Sequence, residues 1–138
     1  MIVSYFLTCL ALNIYFEARN QPVMGQIGVS MVVLNRVNST DYPDNVCDVI
    51  YQGKHSKITG MPLRHKCQFS WYCDGLTDTP KDVDAYRWAE IIAKDVWDHK
   101  GKSDITNGSL FYHSMNVRPK WADKKTFVKR IGDHLFYR

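Results

Sequence analysis

Apolar residues recur at three- and four-residue intervals from Ser4 to about Arg19, where Phe6/Leu7, Leu10/Ala11, Ile14 and Glu17/Ala18 share one side of a predicted helix. One member of that stripe is an acid. Glu17 stands one turn beyond Ile14 and two beyond Leu10, which argues against a freely solvated carboxylate. Asn20, ahead of Gln21-Pro22, predicts a helix end at a left-handed asparagine. Glu17 then falls in the last turn, where the helix dipole disfavours its charge. A second dense apolar segment, Val23 to about Val37 with Ile27, Met31 and Leu34, predicts a buried helix. Between Asn13 and Val37 Glu17 is the only acid, the next being Asp41.

Beyond Val37 a polar stretch predicts a loop, with Pro43 opening a short helical turn that runs to Val49 or Ile50. Lys54 to Lys66 is basic and carries Gly60, Pro62 and two histidines, so no regular element is expected there. "QFSWY" alternates and is aromatic, which predicts a short strand closed by an Asp74-Gly75 turn. Thr79 as N-cap, Pro80 at the first position and Gly101 as the stop delimit a further helix, with Val83, Tyr86, Ala89/Ile91, Ala93, Val96 and Trp97 on its buried face. An Asn-Gly turn leads "SLFYHS" into a strand, and "FVKRIGDHLFYR" reads as a hairpin turning at Gly132-Asp133. The expected fold class is α+β: residues 1–138 as a single domain of three or four helices with a small antiparallel sheet.

At 138 residues the chain is long enough for one core, and 45% hydrophobic with 23% charged residues excludes the signature of disorder. A formal charge of +4 favours polyanions without choosing among nucleic acid, an anionic membrane and a cell-wall polymer. The apolar start, Met1 to Phe16, has no Lys or Arg before it and no small-residue cleavage site before Glu17, so it is expected to be a helix of the fold rather than a leader. It is shorter than the ~20 residues a membrane span needs, and no membrane insertion is expected. Cys9, on the apolar face of the first helix, is expected as a buried thiol. Cys67 and Cys73 can bridge each other, or either can reach Cys47, if the protein works outside the cytoplasm. Zinc-type ligands occur in His65, Cys67, Cys73 and Cys47, but without a Cys-x2-Cys pair no metal is expected.

The chemistry centres on Glu17. A carboxyl in an apolar setting at an opposing helix dipole has its pKa raised, the requirement for a general acid that protonates a leaving oxygen, as in glycoside cleavage. The residues alone leave a second reading open, a salt bridge with Arg19 or Arg36. On the expected strand Gln68 and Ser70 share one face, suited to sugar hydroxyls and acetamido groups, while Phe69 and Trp71 pack on the other. Trp121 either stacks on a sugar ring or closes the core. The basic residues from Lys54 to Lys66, with Lys120, Lys124, Lys125, Lys129 and Arg130, read as solvated surface that can also meet peptide-stem carboxylates. No nucleic-acid partner is expected.

"IYFEAR", "GQIGVSMVVLNRV", "YPDNVCDVIYQG", "CQFSWYCDG", "FYHS", "PKW" and "IGDHLFYR" occur in the order found in the SleB/CwlJ-type cell wall hydrolases, which the chain resembles from about Leu10 to Arg138. The resemblance implies a lysozyme-like fold akin to lytic transglycosylases, with Glu17 as the catalytic glutamate and Tyr112 and His113 near the cleft. It departs at Asn20-Gln21, where the family has Gly-Glu. Gln21 removes a negative charge four residues from Glu17 and leaves Glu17 the only acid of the motif. The same resemblance implies cleavage of peptidoglycan between N-acetylmuramic acid and N-acetylglucosamine by a cofactor-free monomer that forms a 1,6-anhydro product. A hydrolytic muramidase needs a second carboxylate, for which Asp74 is the first candidate, ahead of Asp41 and Asp78. A non-catalytic wall-binding module is the alternative of another class. The arrangement resembles a phage endolysin, made in the host cytoplasm and reaching the wall after release through a separate membrane pore.

Overall fold

The computed structural model describes residues 4–100 and 102–138, so Met1–Val3 and the expected helix stop at Gly101 lie outside the described residues. Helix α1 (Tyr5–Ala18) has no charged residue before Glu17, and it runs through the middle of the molecule against α2 (Val23–Val37), α3 (Val46–Ile50) and α4 (Val83–Asp98). Its near-uniform apolarity is that of a helix covered on several sides. Leu10, Ile14 and Tyr15 meet Val33, Val49, Ile50, Trp71, Ala89, Ile92 and Val96 in the core. Among the described residues no helix is long and apolar enough to cross a membrane.

Two antiparallel sheets complete the α+β architecture. Strands β1 (Gly53–His55) and β2 (Pro62–Cys67) pair alone, while β3 (Phe111–Ser114), β4 (Phe127–Ile131) and β5 (His134–Tyr137) form a sheet in the order β3-β5-β4. Register sets Tyr112 opposite Phe136 and Ser114 opposite His134. Phe136 is fully buried against α2 at Gly28, where an added Cβ would lie 2.8 Å from the phenyl ring, so only glycine lets the helix approach the sheet this closely. The Asn107-Gly108 turn into β3 has positive φ at both residues. Asp104 ties it to α2: one carboxylate oxygen accepts from Asn35 Nδ2 and Gly108 N–H at 2.8 Å each, the other from Thr106 N–H at 2.8 Å and its hydroxyl at 2.6 Å.

Several local expectations are corrected. Asn20 is not left-handed; α1 ends with Gln21 N–H donating to the Ala18 carbonyl, and Pro22 then opens α2. Asn45, not Pro43, starts α3, its side chain accepting from Asp48 N–H at 2.9 Å. Asp82 rather than Thr79 caps α4, because the Tyr15 hydroxyl accepts from Lys81 and Asp82 N–H and holds the preceding segment onto α1. On α4 Ile92 is buried, while Val83 and Ile91, both expected on the buried face, are exposed. The basic Lys54 to Lys66 stretch is a hairpin rather than a loop, and "QFSWY" leads into a 3-10 turn at Ser70–Cys73 instead of forming a strand. Cys9 is not a thiol. It is bonded to Cys47, and Cys67 to Cys73, so none of the four sulfurs is left as a free metal ligand.

Candidate active site

The last turn of α1 carries Glu17 into the lining of an open surface hollow, and a second hollow shares Phe16 and Arg19 with it. Tyr112, on β3, donates its hydroxyl proton to Glu17 Oε1 at 2.5 Å. Burial pushes the Glu17 carboxyl up from its ordinary value, against the hydrogen bond from Tyr112 and the positive charge of Arg36, which both pull it down. Burial dominates, as it does for carboxyls in apolar pockets. Tyr112 is itself pushed well above the usual phenol range by burial, the Glu17 charge and their shared hydrogen bond, so it stays a donor. With Oε1 accepting from Tyr112, the proton of the neutral acid resides on Oε2.

Arg36, one of the two salt-bridge partners that the residues left open, forms no ion pair with Glu17; nor does Arg19. Arg36 Nε donates to the Leu110 carbonyl at 2.8 Å, and the guanidinium lies over the rings of Tyr42, Phe69 and Phe111. From that buried position its charge reaches Glu17 and Tyr112 through space. Arg19 projects from the surface, its guanidinium 4.7 Å from the Tyr15 ring centre.

The walls are built by side chains that fasten distant segments to α1. Phe16 stacks on Trp71 with ring centroids 4.9 Å apart, and the Trp71 indole N–H donates to the buried Asn13 side chain at 2.9 Å. On the other side, Gln21 Oε1 accepts from Asp133 N–H at 2.8 Å while Gln21 Nε2 donates to the Asp133 carboxylate at 3.2 Å. That amide clamps the β4–β5 turn against the end of α1, and a glutamate in its place would face Asp133 with like charge. Gly132 sits in the turn with φ +57, and a Cβ there would meet Gln21 Oε1 at 2.5 Å. Ser114, Asn116, Asp133 and His134 line this hollow with Glu17 and Gln21, giving it a polar surface. His134 is nearly buried, packs its ring 5.0 Å from that of Tyr112, and has no partner for Nδ1. Burial and the neighbouring His113 lower its pKa against the pull of Asp133, so at neutral pH it is a neutral imidazole.

Of the residues singled out from the sequence, the structure brings Glu17 and Tyr112 together. His113, one position along β3, points to the opposite face of the sheet, where its ring nitrogen meets the Tyr137 hydroxyl at 2.8 Å. Trp121 joins that same aromatic cluster, packed against Phe111, His113 and Tyr137. Gln68 and Ser70 are exposed on the far side of buried Phe69 and Trp71, and Asp74 accepts from Leu76 N–H at 2.8 Å in its turn. These five do not line the two hollows beside Glu17. Phe16, Ser114, Asn116, Asp133 and His134 do, and the sequence patterns single out none of them. The "GDH" after the hairpin glycine is a visible signal, but its closeness to Glu17 depends on the pairing of β5 with β3. Among the described residues no group of three or more His, Cys, Asp or Glu is placed to hold a metal.

The family model described as Cell Wall Hydrolase matches residues 20–137, a span that begins three residues after Glu17, and the chain is a member of that family. It is 32% identical over 128 residues, 92% of its length, to a spore cortex-lytic enzyme of Halalkalibacterium halodurans, and 30% identical over 128 residues to that of Bacillus subtilis. The chain spans only 33% and 35% of the lengths of these relatives. Its fold is that of the catalytic domain of the germination-specific lytic transglycosylase SleB from Bacillus anthracis, with a TM-score of 0.74, 26% identity, and coverage of 99% of this chain and 97% of that one. The SleB catalytic domain of Bacillus cereus superposes with a TM-score of 0.68 over 96% of this chain and 89% of its own, also at 26% identity. The lysozyme-like α+β expectation is thereby borne out.

Proposed function

We propose that this protein cleaves the glycan strand of peptidoglycan between N-acetylmuramic acid and N-acetylglucosamine as a lytic transglycosylase, with Glu17 as acid and then base. The observation that carries this reading is the raised Glu17 carboxyl held by Tyr112 in an open polar groove; the likeness to a lytic transglycosylase catalytic domain supports the reaction type. The neutral carboxyl donates its proton to the glycosidic oxygen as the bond from that oxygen to the muramic C1 breaks. The resulting carboxylate takes the proton of the muramic 6-hydroxyl while that oxygen bonds to C1. A 1,6-anhydro ring forms, no water is consumed, and Glu17 returns to its neutral state. One acid thus serves both half-steps, in keeping with Gln21 standing where the family has a second acid.

Mass spectrometry of digested sacculi tests the reaction: anhydro-muropeptides are expected, and reducing ends without them would sink the transglycosylase reading. One observation favours a hydrolytic alternative, since Asp133 is a second carboxylate lining the same hollow as Glu17. Glu17→Gln is expected to lower turbidity clearing by about 10²–10⁴-fold while the protein still pellets with sacculi. Unchanged clearing would remove Glu17 from the reaction. Action by a monomer is part of the proposal, as is action outside the cytoplasm, which is supported by the two disulfides, since these persist in oxidising compartments. So is a role in phage-driven lysis: expression in a bacterial host is expected to lyse cells only when a membrane pore is supplied.

A further inference from the structure

The β1–β2 hairpin combines a net basic charge with exposed apolar side chains. From Gly53 to Cys67 it holds four of the chain's 18 lysines and arginines and none of its 14 acids, so the remainder is charge-balanced and the hairpin carries the entire formal charge of +4. Its turn also exposes apolar side chains. Ile58 is 95% exposed, more than any other large apolar residue described, with Met61 at 65% and Leu63 at 43%. Both strands are largely solvent-facing, and these residues contribute nothing to the core.

Two-stranded hairpins are marginal alone, yet this one is anchored at its base by the Cys67–Cys73 disulfide and by Gln68 N–H donating to the Gln52 carbonyl at 3.0 Å. The tip pairs several of its own amide N–H groups. Ser56 N–H donates to the Met61 carbonyl at 2.8 Å and Gly60 N–H to the Ser56 carbonyl at 2.9 Å. The Ser56 hydroxyl accepts from Ile58 and Thr59 N–H, and the Thr59 hydroxyl from Met61 N–H. A peptide whose amides are paired internally enters a water-poor layer without the cost of stripping them. Free polyanions in water ask only for the cations; an apolar tip with paired amides beyond a basic shaft matches a lipid interface.

We propose that this hairpin docks on an anionic lipid surface, Ile58 and Met61 entering the interfacial layer while Lys54, Lys57, Arg64 and Lys66 face headgroup phosphates. The protein then lies on the membrane without spanning it. The site is separate from the Glu17 groove and stands whether or not Glu17 cleaves glycan.

Vesicle co-sedimentation of the full chain tests it, using phosphatidylcholine alone against an equal mixture with phosphatidylglycerol, at low and at high salt. Binding to the anionic vesicles is expected to be at least tenfold tighter and to weaken with salt. Each basic residue is worth about a fivefold change, so Lys54→Gln/Lys57→Gln/Arg64→Gln/Lys66→Gln should fall to the level of neutral vesicles. Ile58→Ser/Met61→Ser should lose at least tenfold, and Ile58→Trp should shift its emission to the blue on anionic vesicles. Unchanged circular dichroism and an unchanged thermal melt would show the variants to be folded. Equal binding to neutral and anionic vesicles, or none to either, would overturn the proposal. So would loss with the charge variant alone while the tip variant binds normally, because that pattern belongs to a site for soluble phosphate polymers.

Discussion

At the residue scale, Glu17 is a compromise between a burial that favours the neutral acid and two partners that favour the carboxylate. Tyr112→Phe removes the hydrogen bond to the charged form, so the Glu17 pKa should rise further and the alkaline limb of the pH–rate profile should move to higher pH. The maximal rate should fall by about 10–100-fold as the carboxyl loses its fixed orientation; a limb that stays or moves to lower pH would refute the arrangement. Stability obeys the same sign. A carboxyl whose folded pKa is raised stabilises the fold fully below its unfolded value and loses that contribution as pH rises through the folded one. Glu17→Gln should therefore raise Tm at pH 7 by about 3 °C, with the gain vanishing near pH 4, as thermal melts across pH would show. Periodicity alone places Glu17 on a buried stripe. It cannot name Tyr112 as the partner, since the two are 95 residues apart in sequence.

At the element scale, the groove's polar wall depends on the β4–β5 turn meeting the end of α1. Gly132→Ala puts a side chain at positive φ, which costs about 1–2 kcal/mol, and drives it into Gln21. The expected result is a lower Tm and a kcat/KM loss larger than the stability loss explains, measured at a temperature where the variant is fully folded. Asp104 fixes another junction. Burial pushes its carboxyl up, but the hydrogen bonds from Thr106, Asn35 and Gly108 outweigh that and hold it below 3.8. Its contribution is present above 3.8 and fades as pH falls through the lower folded value, so Asp104→Asn should flatten the acid limb of the stability curve and destabilise the protein at pH 7 by about 1–3 kcal/mol. The hairpin turning at Gly132-Asp133 and the Asn107-Gly108 turn are legible in the sequence, since glycine at a tight turn is a local requirement. The α4 start is not, because Thr79-Pro80 is a sound local signal that loses to Tyr15, which binds the Lys81 and Asp82 amides from another helix.

At the scale of the whole molecule, the Cys9–Cys47 bridge joins α1 to α3 across 38 residues, and the loop-entropy argument assigns it about 4 kcal/mol, against about 2 for the six-residue Cys67–Cys73 loop. Urea titration of Cys9→Ala/Cys47→Ala and Cys67→Ala/Cys73→Ala should preserve that order; reversal would mean that the short bridge, at the hairpin's base, governs more than its loop. Helical periodicity makes Cys9 look like a buried thiol because it predicts burial and says nothing of what is buried opposite. The sequence by itself determined the helices α1 and α2, the α+β class, the position of Glu17 at a helix end and the strands around the late turns. These come from periodicity and from residues whose backbone preferences act over a few positions. Only the tertiary structure decided that Tyr112 rather than Arg36 contacts Glu17, that Gln21 clamps Asp133, that His134 shares the hollow, and that His113 and Trp121 face the other way. Those are contacts between segments far apart in the chain, fixed by strand register and core packing, and no local preference encodes them.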